Sequence, residues 1–199
     1  MRKGALTHHA ILDRATSLAS TVGLEGLTIG ALAAELDLSK SGLFAHFRSK
    51  EALQIQVLEH GAELFVERVL RPALAAPRGE ARMRALFDRW LEWVRSSFMP
   101  GGCLFVQAST ELDDQPGPVR DRLADIQRQW LDVIATSFRK GIEAGAFRRE
   151  ADPRQFAYDA SGVMLAYHHA SRLLQDPRAE AHARTAFDAL LAAARAPVR

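Results

Sequence analysis

The sequence predicts an all-α protein, and three observations make the prediction. Apolar residues recur at spacings of three and four along nearly the whole chain, no stretch sustains the two-residue alternation of a half-buried strand, and the periodic runs are bracketed by capping residues before and by glycine or proline after. At 199 residues with 48% hydrophobic content, the chain suffices for one core or for two modules and no more. No apolar run approaches the roughly 20 residues that cross a bilayer, and the first nine residues lack the apolar centre of a secretory signal. A cytoplasmic protein with no membrane partner is expected. Cys103 stands alone, which excludes an internal disulfide and a paired-cysteine metal site.

Thr7 is read as the cap of a first helix, with Ile11, Ala15, Leu18, Ala19 and Val22 inward, and Gly23 and Gly26 end it. Thr28 caps a second, whose stripe is Ile29, Leu32, Ala33 and Leu36. Asp37-Leu38 then makes a tight connection to Ser39, the cap of a very short third helix. Leu43 and Phe47, four apart, bury one side of that helix and leave Lys40, Ser41 and Gly42 on its exposed first turn. Ser49 caps a long fourth helix with Leu53, Val57, Leu64, Phe65 and Val69 inward, until Pro72 and Pro77-Arg78-Gly79 interrupt it. Next come a helix carrying Met83, Leu86, Phe87, Trp90, Val94 and Phe98, a shorter one from about Leu104 to Leu112, and a long one opened by Pro118 with Leu123, Ile126, Trp130, Val133, Ile134 and Phe138 inward. Asp152-Pro153 and Asp176-Pro177 start the last two, which gives nine helices.

Function is concentrated in residues 28 to 50. A short helix, a tight turn and a second short helix with a polar leading edge is the layout of a helix-turn-helix, whose second helix enters the major groove of DNA. Such a helix must be held from behind by apolar anchors and keep small or polar side chains where base edges approach. Net charge is only +2, but residues 39 to 50 carry Lys40, His46, Arg48 and Lys50 with no acid, so the basic face is local. Backbone N–H groups at the helix starts capped by Thr28, Ser39 and Ser49 can hold phosphate oxygens. Gly42 costs about 1 kcal/mol against alanine inside a helix, which is tolerable where a backbone must come close to a base or sugar.

Thr28, the turn Leu36-Asp-Leu-Ser39, and above all Ser39-Lys40-Ser41-Gly42-Leu43-Phe44-Ala45-His46-Phe47 followed by Ser49-Lys50-Glu51-Ala52-Leu53 closely resemble the DNA-binding domain of the tetracycline-repressor family of bacterial transcriptional regulators. The resemblance covers roughly residues 7 to 65. It implies a helix-turn-helix domain over residues 1–48 and an effector-binding and dimerisation domain over 49–199, a homodimer paired through its last two long helices, a palindromic double-stranded DNA operator and a small-molecule effector. By position, Thr28, Lys40, His46 and Lys50 would touch phosphates, and Lys40, Ser41, Gly42 and Leu43 would face the groove. Phe44 stands where the family usually has tyrosine, so a hydroxyl that commonly reaches a phosphate is missing. Gly42 stands where the family often has threonine, which moves readout toward Lys40, Ser41 and DNA shape.

In the second half the chain resembles the family only in architecture and, in general, one of its C-terminal subtypes, so the identity of an effector does not carry over. Trp90, Phe105, Trp130, Phe138 and Tyr167 are the expected walls of an effector cavity, although aromatics at helical spacing more often belong to a core. No cofactor is expected, and the pairs His8-His9 and His168-His169 lack metal-ligand spacing, so no metal is expected either. Two rival classes remain: a helical enzyme or carrier with an incidental basic segment, and an architectural DNA protein without sequence preference. No glycine-rich phosphate loop, nucleophile elbow or activated nucleophile supports catalysis.

Overall fold

The computed structural model describes residues 8–197, so the cap assigned to Thr7 lies outside the described residues. The elements are α1 (His8–Gly26), α2 (Ile29–Leu36), α3 (Lys40–Phe47), α4 (Lys50–Phe65), a π-helical segment (Val66–Leu70), α5 (Arg71–Ala75), α6 (Glu80–Val94), α7 (Leu104–Leu112), α8 (Pro118–Glu143), α9 (Pro153–Arg172) and α10 (Ala179–Ala194). Among the described residues the extended backbone pairing is one isolated bridge, Phe147 with Arg195. The predicted all-α class holds, and no helix of the described residues is long and apolar enough to cross a membrane. The expected fourth helix corresponds to α4, the π segment and α5 in unbroken succession. Pro72 does not stop it: the wider π turn precedes a proline that sits in the first turn of α5, where its missing N–H costs least.

The chain forms two compact units. The first runs to Phe65 and takes in Arg95–Asp125. Here α1 packs on α4 and α7, α2 packs on α1 and α3, and α3 on α4. Ile11, Ala15, Leu24, Leu32, Phe47 and Val57 form its interior. Gly23, at φ 76°, breaks α1 three residues before Gly26, which explains why Val22, expected inward, is 44% exposed. The segment after residue 94 enters the same interior by a backbone-on-backbone approach. Gly101 donates its N–H to Ser20 Oγ (3.1 Å), and a Cβ on Gly101 would lie 1.4 Å from the Ser20 carbonyl oxygen. The chain has left the helix by Phe98, so that side chain is only half-buried and Met99 takes the interior position.

The second unit comprises Val66–Val94 and the chain from Ile126 onward. The π segment and α5 pack on α6, and α9 packs on α10. Stacked rings form its centre: Phe138 stacks on Phe147 (4.4 Å) and on Phe156 (4.1 Å), and Phe87 stacks on Phe187 (4.2 Å). Charge ties α6 to α10 along one edge. Arg195 grips Glu80 with two parallel hydrogen bonds of 2.8 Å, Arg84 joins Glu80 to Asp188, and Arg184 joins Glu180 to Asp88. Arg195 first, with Arg84, holds the Glu80 carboxyl down at about 2, against an ordinary 4.5.

Candidate nucleic-acid interface

The helix-turn-helix is built by three caps and one left-handed residue. Thr28 Oγ1 accepts the Ala31 N–H (3.0 Å) and starts α2. At its end Asp37 takes the left-handed conformation (φ 52°, ψ 43°), a region that aspartate enters more readily than most residues. The Leu38 N–H then reaches back to the Ala33 carbonyl (3.0 Å) and the Asp37 N–H to the Ala34 carbonyl (3.4 Å), which closes a Schellman turn. Ser39 Oγ accepts the Gly42 N–H (3.1 Å) and lies 3.3 Å from Ser41 Oγ, so the first turn of α3 is fixed by its own side chains. Ser49 Oγ accepts the Ala52 N–H (3.0 Å) and starts α4.

Only Leu43 and Phe47 of α3 are buried, at 0% and 1% exposure. This corrects one expectation: Leu43 does not face the groove, because it lies one turn before Phe47 on the inner face and anchors the helix from behind. Every other side chain of α3 is exposed. Lys40, Ser41 and Gly42 stand on its first turn, Phe44 is 56% exposed, and His46 is exposed beside the rings of His8 (5.6 Å) and Phe47 (6.2 Å). A Cβ on Gly42 would meet only Ser39 Oγ, at 3.1 Å. The outer side of that position is open.

Lys50 is placed by partners that the sequence reading did not anticipate. Its ammonium donates to the Glu25 carbonyl (2.7 Å) and to Glu25 Oε2 (3.1 Å), and Gln54 Nε2 donates to the Leu24 carbonyl (2.7 Å) beside it. The hydrogen bond from Lys50 is the main reason the Glu25 carboxyl is held below its ordinary range. Glu111 of α7 accepts the Glu25 N–H (3.1 Å) and fills the hollow left by Gly23. Two further residues shape the surface without a sequence signal. Gly30 leaves room for the Lys40 stem, whose Cε would sit 3.4 Å from a Cβ there, and Arg48 ends α3 at φ 62°. Only the packing of α2 under α3 exposes the first, and only backbone geometry the second.

The aromatics assigned to an effector site fall in different surroundings. In the first unit Phe105 is buried against Phe65 (6.1 Å, edge-on). In the second, Trp90 is buried with its ring edge-on to Tyr167 (5.9 Å), and Trp130 is half-buried on α8. Phe138 is fully buried and stacks on both Phe147 and Phe156, which makes it a core residue. On α9 and α10 a groove of ≈ 580 Å³ runs between Tyr158, Gly162, Ala166, Ala183, Ala186 and Leu190. Tyr158 is 74% exposed and neighbouring Leu165 46%.

Comparison with known proteins bears on both halves. A family profile described as bacterial regulatory proteins of the tetR family matches residues 11–57, and one described as the tetracyclin repressor-like C-terminal domain matches residues 79–187. The HTH-type transcriptional repressor DhaR of Mycobacterium sp. (strain GP1) is 26% identical over 146 residues, 72% of this chain and 71% of that protein. The crystal structure of a TetR transcriptional regulator from Chloroflexus aurantiacus J-10-FL superposes with a TM-score of 0.84 at 25% identity, covering 99% of this chain and 100% of that one. The fold is shared also with AibR, solved in complex with isovaleryl coenzyme A and operator DNA (TM-score 0.70, 22% identity, 96% and 99% covered).

Proposed function

The chain belongs to the tetracycline-repressor family of DNA-binding transcriptional regulators, and from that premise we propose that it is a repressor whose two copies insert α3 into successive major grooves of a palindromic operator and let go when a small-molecule effector binds. The observation that carries this reading is α3 itself: eight residues, anchored by two buried side chains, capped by Ser39, and otherwise exposed on a face without acids. A helix held this way offers its first turn to base edges. Lys40 and Ser41 read bases there, while Gly42 lets the backbone come close. His46, Lys50 and the N–H groups at the starts capped by Thr28, Ser39 and Ser49 meet phosphates. Phe44 lies along the sugar-phosphate chain and contributes contact area in place of a hydroxyl.

Dimerisation is assigned to α9 and α10. Their shared groove is lined mostly by small and apolar side chains, with Asp159 and His182 also on it and Tyr158 and Leu165 left in solvent, and a second copy packing its own α9 and α10 there would form a four-helix interface. Effector contacts are assigned in the second unit to Trp90, Trp130 and Tyr167, with the half-buried His168 as a polar group. Burial keeps the His168 imidazole below its ordinary pKa, and its Nε2 makes no hydrogen bond among the described residues, so a ligand that bonded to it would recover a cost of about 1–3 kcal/mol. The effector acts by favouring a dimer whose reading helices are no longer about 34–36 Å apart, the distance of one DNA turn. Release needs a differential affinity of only about 5.5 kcal/mol between the two forms. The protein works by binding and performs no chemistry of its own.

Selection of binding sites from random duplex DNA at fixed salt tests the reading. A two-fold symmetric motif bound by two chains is the expected outcome. Uniform binding would make the protein an architectural one, and absence of binding would overturn the assignment of α3.

A further inference from the structure

The first unit brings together three ligating side chains that the sequence scatters. His9 and Asp13 stand one turn apart on α1 and so share a face, and His60 reaches that face from α4, 47 positions after Asp13. The His60 side chain is buried at 3% exposure and Asp13 is 38% exposed. His60 Nε2 lies 2.7 Å from Asp13 Oδ1, the rings of His9 and His60 meet edge-on with centroids 4.6 Å apart, and one ligating atom from each of the three falls within 4.8 Å of the other two. On the far side of the buried imidazole, His60 Nδ1 is 3.9 Å from Glu63 Oε2.

We propose that His9, Asp13 and His60 form a binding site for a divalent first-row transition-metal ion. Two imidazoles and one carboxylate suit zinc and its neighbours, whereas magnesium and calcium call for oxygen ligands throughout. A tetrahedral ion with bonds of about 2.0–2.1 Å holds its ligands about 3.4 Å apart. The Asp13–His60 pair has to open by less than about 1 Å, and the other pairs to close by at most about 1.4 Å, to reach that spacing. His9 is exposed and Asp13 half-buried, so their side chains are free to make the adjustment. Glu63, whose Oε2 is 3.9 Å from His60 Nδ1, has to close by about 1 Å to orient the other ring nitrogen of a metal-bound histidine. Three protein ligands leave a fourth position to water, which makes this an exchangeable site rather than a closed structural one. In the metal-free state the Asp13 hydrogen bond satisfies the buried His60, so the fold does not depend on the ion.

The site sits where an ion can matter to DNA binding. His8, next to His9, packs its ring 5.6 Å from His46 and 5.4 Å from Phe47 of α3. An ion clamping α1 to α4 stiffens the support of the reading helix.

Calorimetric titration of the full chain with zinc chloride, joined to thermal melting, tests the proposal. The expected result is one zinc per chain and a higher melting temperature. His9→Ala, at an exposed position, keeps its metal-free melting temperature and binds zinc at least about tenfold more weakly. Asp13→Asn, which can still hydrogen-bond His60, loses zinc in the same way. Cobalt(II) bound to the native chain gives the intense visible bands of a four- or five-coordinate ion, and the His9→Ala variant does not. Absence of binding at millimolar zinc, or binding by His9→Ala equal to that of the native chain, overturns the proposal.

Discussion

Lys50 offers a quantitative test, because its ammonium is already spoken for in part. Of its three N–H groups, the Glu25 carbonyl takes one at 2.7 Å and Glu25 Oε2 a second at 3.1 Å, which leaves one for a phosphate. Each phosphate neutralised contributes about −0.9 to the slope of log affinity against log salt. Lys50→Ala removes one such contact from each copy, so the dimer's slope should become shallower by about 1.8. Across a fourfold rise in salt, from about 50 to about 200 mM, the native affinity should then fall by roughly twelvefold more than that of the variant. Sequence preference should not change. The lost ion pair is exposed, at 41% and 46%, so the fold should lose no more than about 1 kcal/mol, a melting shift of about 2–4 °C. Glu25→Gln should act in the opposite sense and tighten binding to all sequences, since it removes the carboxylate that neutralises the ammonium. The assay is fluorescence anisotropy over a salt series. A native slope in Lys50→Ala would refute the reasoning and make Lys50 a strut for the end of α1.

Two other substitutions probe the units separately. Gly101→Ala places a Cβ 1.4 Å from the Ser20 carbonyl oxygen, so two backbones must separate, and a loss of more than about 3 kcal/mol should lower the melting temperature by roughly 6–12 °C; a variant melting within about 2 °C of native would contradict that contact. Glu80→Gln tests the α6–α10 ties through pH. The folded-state pKa of Glu80 is depressed to about 2 from 4.5, so its contribution is fully present above the unfolded value and is lost as pH falls from 4.5 toward 2. The melting difference between native and variant should stay constant above about pH 5.5 and shrink at lower pH, whereas a constant difference down to pH 3 would show that the arginines do not hold the carboxylate.

The caps were legible because they are local. Thr28, Ser39 and Ser49 each accept the N–H three residues on, and residue type plus position predicts that without tertiary knowledge. The inner face of α3 follows from the spacing of Leu43 and Phe47, and that spacing also placed Leu43 inward against its carried-over groove role. Contacts between distant positions were not legible. Glu25 with Lys50, Glu111 with the Glu25 N–H, and Asp13 with His60 depend on how α1, α4 and α7 pack, and none has a signature in one sequence. The aromatics show a related limit. Periodicity places Phe138 inward but cannot say whether the interior there is a stack of rings or a cavity wall, and Phe147 and Phe156 decide it. Pro72 misled because a proline that ends an ordinary helix is absorbed when a π turn precedes it.

The most direct measurement is binding-site selection from random duplex DNA, run in parallel on the native chain and on a variant carrying Lys40→Ala and Ser41→Ala. Both side chains are exposed on the first turn of α3 and neither anchors the helix, so the variant should fold, still bind duplex DNA, and enrich a different or degenerate motif at the same half-site positions. If the variant enriches the native motif with native affinity, α3 does not read the sequence.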